Sequence, residues 1–136
     1  MFDQSLRLRL AVLVACAFGL AGCGPKPITG GTPGTLAFEG KPVSDIRVTV
    51  HRRHGGQSEP IGFAVTANDG TFALVTNEAR GPLRLTPGDY CFTLESVGPP
   101  VRIDKEYTKP DSTPLKVSWS AADTSLTLDV PSASSE

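Results

Sequence analysis

The chain has 136 residues, 39% hydrophobic and 20% charged, with 14 Gly, 12 Pro and a formal net charge of -1. That length fits one globular domain plus an extra segment and excludes two domains of ordinary size. A charge near zero with no basic stripe excludes the phosphate-neutralising surface of a nucleic-acid binder.

Residues 1–22 follow a three-part plan: a polar head with Arg7 and Arg9, the apolar run LAVLVACAFGL, then small residues. This is the plan of a secretory signal. The apolar run from Leu10 to Leu20 is well short of the roughly twenty residues a membrane-spanning helix needs. The expectation is therefore a removable signal and not a permanent span.

At its end, Leu20-Ala21-Gly22-Cys23 resembles the lipobox of bacterial lipoproteins at all four positions. The resemblance implies that Cys23 receives a diacylglycerol, that the bond before it is cut, and that the new amino terminus is acylated. Two or three acyl chains hold a protein stably at a bilayer, each buried methylene contributing about 0.8 kcal/mol. Gly24 occupies the position where an Asp retains enterobacterial lipoproteins at the inner membrane, so the likeness favours the outer membrane. After such processing Cys16 is gone and Cys23 is occupied, which leaves Cys91 unpaired and the mature domain without an internal disulfide.

Residues 23–34 read as lipidated cysteine and flexible tether, because GPKPITGGTPG has too few apolar residues to fold alone. From residue 35 to 131 the pattern becomes short alternating runs: TLAFE, DIRVTVHR, PIGFAVT, TFALVT, DYCFTLESV, LKVSW and TSLTLDV. Seven such runs at roughly ten-residue spacing predict an all-β, seven-stranded antiparallel β-sandwich. Its expected core is Phe38, Val48, Phe63, Phe72, Leu74, Tyr90, Phe92, Val117, Trp119, Leu126 and Leu128. In PIGFAVT the alternation assigns Ile61, Phe63 and Val65 to the inner face.

Between the runs, Glu39-Gly40-Lys41-Pro42 is expected to join the first two strands, and Asn68-Asp69-Gly70 is the strongest hairpin signal. HRRHGG, from His51 to Gly56, reads as a solvated loop. Alternation in YCFTLES puts Cys91 off the main core, partly covered by a neighbouring loop. The stretch from Ser96 to Pro114, with four prolines and several charges, is the longest irregular segment; it reads as a simple crossover between two strands, and a binding function, if there is one, would lie here. Residues 132–136 read as a disordered tail.

The order TLAFEGKPVSDIRVTVHR, GFAVTANDGTFAL, LTPGDYCFTLE resembles the carboxypeptidase regulatory-like domain, a transthyretin-like (prealbumin-like) β-sandwich. The likeness rests on a Gly-Lys-Pro-Val turn after strand one, a Thr-x-x-Asp-Gly-x-Phe element and a Pro-Gly-x-Tyr strand entry. The later piece EYTKPDSTPLKVSWSAADTSLTLDV is similar to the tail of small bacterial lipoproteins carrying this domain alone. In peptidases the domain is a non-catalytic accessory, so the resemblance implies no catalytic residues and no cofactor.

Two enzyme classes on related sandwiches fail on their own motifs. Hydroxyisourate hydrolases carry Tyr-Arg-Gly-Ser, which does not occur here. Intradiol dioxygenases hold iron with two Tyr followed by His-x-His, whereas here His51 and His54 precede Tyr90 and Tyr107 and are spaced His-x-x-His. Residues three apart on a strand face opposite ways, so the imidazoles would not converge, and no metal is expected. Asp104 and Glu106 read as solvated charges.

The expectation is thus a non-enzymatic, lipid-anchored cell-envelope protein. Its partners would be the membrane, through Cys23, and an envelope protein or surface polysaccharide. The alternative is a small-ligand or carbohydrate-binding module, for which Tyr107 and Trp119 are the candidate contacts. Alternation with Val117 and Leu115 favours a buried Trp119.

Overall fold

A computed structural model describes residues 28–131; the signal segment, Cys23 and the tail 132–136 lie outside the described residues. Among the described residues there are nine strands: β1 (Pro33–Phe38), β2 (Lys41–Pro42), β3 (Ile46–His54), β4 (Gln57–Val65), β5 (Thr71–Ala73), β6 (Val75–Thr76), β7 (Gly88–Ser96), β8 (Lys116–Trp119) and β9 (Leu126–Val130). One 3-10 helix, Lys105–Thr108, lies in the long segment between β7 and β8.

The strands form two sheets. One has the antiparallel order β6-β4-β3-β7-β8, and in the other β1 pairs antiparallel with β2 and β5. β9 lies parallel to β1, Gly34 opposite Leu126 through Phe38 opposite Val130, so the second sheet is mixed where antiparallel pairing was expected. Leu36, Phe72, Leu126 and Leu128 from the mixed sheet join Val48, Val50, Tyr90, Phe92 and Leu94 from the five-stranded sheet in one hydrophobic cluster. The all-β arrangement is consistent with a β-sandwich.

Each of the seven sequence runs carries a strand, but TFALVT carries two, one in each sheet. Leu74 is the break: its side chain is fully buried, its N–H donates to Thr32 O at 3.0 Å, and its carbonyl accepts from Leu83 at 3.0 Å. The other additional strand, Lys41–Pro42, is made by the Glu39-Gly40 turn. Both turn residues have positive φ (54° and 79°), the backbone that a two-residue primed hairpin requires. That hairpin folds back on β1 itself, and the chain reaches β3 in the other sheet only afterwards.

The hairpin expected at Asn68-Asp69-Gly70 is a connection between sheets, since β4 and β5 belong to different ones. Asp69 holds it locally, accepting from the Thr71 amide at 3.1 Å and the Thr71 hydroxyl at 2.6 Å, and these bonds keep the Asp69 carboxyl below its usual pKa. The tight hairpin is instead in HRRHGG, where the solvated loop was expected. β3 continues to His54, Gly55 and Gly56 turn at φ 52° and 84°, and His54 pairs with Gln57.

β4 presents the opposite face from the one its pattern suggested. Gly62, Ala64 and Thr66 are buried, Ile61 is half-buried against the core cluster, Phe63 is half-buried on the outer face, and Val65 is 46% exposed. The cause is space: a Cβ on Gly62 would run into the Val75 carbonyl and the Leu83 side chain, so only the small-residue face of β4 fits inward. Phe63 uses its outer position to stack under the Arg47 guanidinium, 4.3 Å from the ring centroid. Phe38 and Val117, also assigned to the core, are half-buried against it.

β1 begins at Pro33, two residues inside the expected tether, and ordering starts earlier still. Thr32 is buried, donates to Leu83 O at 2.9 Å and accepts from the Leu85 amide through its hydroxyl at 2.9 Å. Gly31 packs so closely that a Cβ there would run into the Leu74 carbonyl, whereas one on Gly81 would meet nothing within 4 Å. Gly31→Ala should therefore cost about 1–3 kcal/mol by overpacking, and Gly81→Ala should lie within about 0.5 kcal/mol of wild type. Urea unfolding of the two variants checks this.

Candidate functional site

The five-stranded sheet has a core face and an outer face, and the outer face carries polar residues that the segment 97–114 covers like a strap. A β-bulge between Val50 and His51 shifts the register of β3 against β4. The pairing with β7 runs without a break, so Val50 opposite Phe92 faces the core and His51 opposite Cys91 faces the other way. β8 pairs only with the first half of β7, from Gly88 to Cys91, and the strap takes over beyond that point. Thr113, fully buried, donates from its hydroxyl to Phe92 O at 2.7 Å and accepts from the Leu115 amide at 3.2 Å. The Cys91 thiol donates to Pro110 O at 3.6 Å.

Beneath the strap lies a cluster of His51, Ser58, Cys91 and Thr93. His51 Nε2 is 3.0 Å from the Thr93 hydroxyl, and Ser58 Oγ is 3.9 Å from Cys91 Sγ. His51 Nδ1 is buried with no hydrogen-bond partner. Burial pushes the His51 pKa below its usual value, so the ring is neutral at pH 7. A neutral ring leaves one uncharged nitrogen unsatisfied, a smaller penalty than leaving half of an imidazolium unpaired. Cys91, expected off the main core, does lie off the core face, but it is fully buried and not merely partly covered. A covered thiol that donates to a carbonyl is poorly placed to act as a nucleophile.

The two aromatic candidates are not surface groups. Tyr107, on the 3-10 helix, is 3% exposed, and burial together with the Glu106 and Asp104 carboxylates raises its pKa. Trp119 is 8% exposed opposite Gly88 at the other end of β7. Both belong to the core cluster, so the exposed aromatic pair that carbohydrate stacking would need is not formed. Tyr107 is in effect the plug by which the strap is docked. Cys23 lies outside the described residues.

His51 and His54 do not converge: one is buried under the strap and the other exposed at the hairpin tip. Among the described residues no group of three His, Cys, Asp or Glu side chains could hold a metal ion. Two of the open hollows among the described residues lie beside these groups. One, about 470 Å³, runs between the strap and the sheet past Thr49, Thr93, Glu95, Val101 and Ile103. The other, about 380 Å³, lies at the Gly55-Gly56 turn beside Arg53, Asp89, Lys116 and Ser118. Sequence reasoning missed the His51 cluster because cross-strand pairing and a long-range strap make it. The local signals were alternation in DIRVTVHR, which turns His51 away from Val48 and Val50, and the Gly-Gly pair, which extends β3 to His54.

No family model matches the chain, and no curated protein matches it. Among solved structures it is similar to part of a 9R-lipoxygenase from Cyanothece PCC8801, at 18% identity and a TM-score of 0.36. That similarity covers 97% of this chain but only 22% of the lipoxygenase chain. A likeness of that size carries neither a fold family nor an activity across.

Two outcomes test the strapped cluster. Thr113→Val removes a buried hydroxyl that serves two backbone groups, should cost about 1–3 kcal/mol, and should speed the reaction of Cys91 with an aromatic disulfide reagent. For His51, the unfolded chain takes up a proton at a higher pH than the folded one. Stability present above the ordinary histidine pKa is therefore lost as pH falls through it toward the lower folded value. Denaturant midpoints should drop between pH 7.5 and 5, and His51→Gln should flatten that slope.

Proposed function

We propose that this chain is a lipid-anchored cell-envelope protein whose transthyretin-like, carboxypeptidase regulatory-like sandwich is non-catalytic and displays its loops to an envelope protein or surface polymer. The observation that carries the reading is Leu20-Ala21-Gly22-Cys23 placed directly after an apolar run too short to span a bilayer. The burial of Tyr107 and Trp119 supports a contact surface made of loops over a stacking platform for sugars. The outer membrane is the favoured destination, from Gly24 after Cys23.

A second reading, a small-ligand module, has one observation in its favour: the hollow between strap and sheet has the size of a small-molecule site. It is open, however, and lacks an exposed aromatic ring among the side chains named at it.

The anchor is tested by Cys23→Ser. The wild-type chain should partition into the detergent phase of Triton X-114 and incorporate radiolabelled palmitate in a bacterial host. The variant should do neither and should move to the soluble fraction; unchanged membrane association of the variant would overturn the proposal.

A further inference from the structure

The chain enters the sandwich at one end, and that end is fixed. Gly30 O accepts from Arg84 Nε at 2.9 Å, Gly31 is wedged against Leu74, and Thr32 is bonded to Leu83 and Leu74. Seven residue steps lead from Cys23 to Gly30, so the lipidated cysteine lies within roughly 23 Å of that end, at about 3.3 Å per step. β3, with nine residues, runs about 30 Å, so the opposite end with Asp45 and Asp69 lies a strand length farther from the anchor.

The charges differ between the two ends. Of the six arginines among the described residues, Arg52, Arg53, Arg80 and Arg84 lie at the entry end, with Lys116 beside Arg53. Their placement follows from the fold: Arg52 bonds Thr86 at 3.2 Å, Arg53 sits at the β3–β4 turn, and Arg80 and Arg84 flank the Leu83 contact to Thr32. Four carboxylates stand among these five cations: Glu59, exposed opposite Arg52, and three that are engaged locally. Asp89 accepts from Ser118, Asp123 from Ser120, and Glu78 pairs with Arg80 at 2.8 Å, the one ion pair among the described residues. Arg53 and Arg84 are exposed. At the far end Glu39, Asp45, Asp69, Glu95, Asp104 and Glu106 outnumber Lys41, Arg47, Arg102 and Lys105.

We propose that the entry end, through exposed Arg53 and Arg84, is a docking surface for the anionic phospholipid headgroups of the membrane that holds Cys23. The sandwich then stands on end with its acidic end outward. The inference rests on the lipid-anchor reading and adds an orientation and a partner chemistry. Guanidinium matches phosphate geometry in a bidentate fashion, and each basic residue near an anionic surface strengthens attachment by about fivefold.

The full chain, lipidated in a bacterial host and reconstituted in vesicles, tests it. A fluorophore is placed at exposed Thr124→Cys near the entry end or Asn68→Cys at the far end, with a nitroxide-headgroup lipid as quencher. In phosphatidylglycerol vesicles the Thr124 site should be quenched several-fold more than the Asn68 site. Phosphatidylcholine, added salt, or Arg53→Gln with Arg84→Gln should reduce that difference. Equal quenching at both sites on a protein whose mass shows the diacylglycerol would overturn the orientation alone. A mass without lipid on Cys23 would overturn the anchor reading and this inference together.

Discussion

The structure turns on the way the chain changes sheets at Leu74. One fully buried residue, with its amide committed to Thr32 and its carbonyl to Leu83, joins the entry segment, the switching strand and the loop before β7. Because a buried backbone group without a partner is costly, these bonds fix where all three segments sit. The start of β1, the close packing of Gly31 and the short reach from Cys23 all follow from that one crossing.

The same economy of space explains β4. Its larger residues alternate with Gly62 and Ala64, and a pattern of hydrophobicity alone puts the larger ones inside. The structure does the reverse because Val75 and Leu83 already occupy the volume a side chain at position 62 would need. Phe63 then finds its contact on the outer face, under Arg47. Burial here is set by what the opposing segment leaves free and not by which face is more apolar.

On the other face of the five-stranded sheet, the strap decides what the molecule offers to partners. It covers His51, Cys91 and Thr93, buries Tyr107, and completes the edge of β7 that β8 leaves unpaired. With Tyr107 and Trp119 both buried, what remains outside is loops, together with the exposed Arg53 and Arg84 at the end where the chain enters.

Strand positions were legible in the sequence, because alternation in runs such as DIRVTVHR and TSLTLDV is a property of neighbouring residues and of the two-residue pleat. The lipobox-like tetrapeptide and the lone Cys91 were legible for the same reason: each is a local fact of order and count. What joined to what was not. The Asn-Asp-Gly turn connects two sheets, the Gly-Gly pair makes the hairpin, β9 runs parallel to β1, and Trp119 and Tyr107 end up inside. Each of these depends on contacts between residues distant in sequence, where available volume and unsatisfied hydrogen-bonding groups are shared out among segments that no local pattern brings together. The sequence by itself determined the strands and the lipobox-like tetrapeptide; the tertiary structure decided the faces of the strands and their partners, because both depend on volume and hydrogen-bonding groups supplied by distant segments.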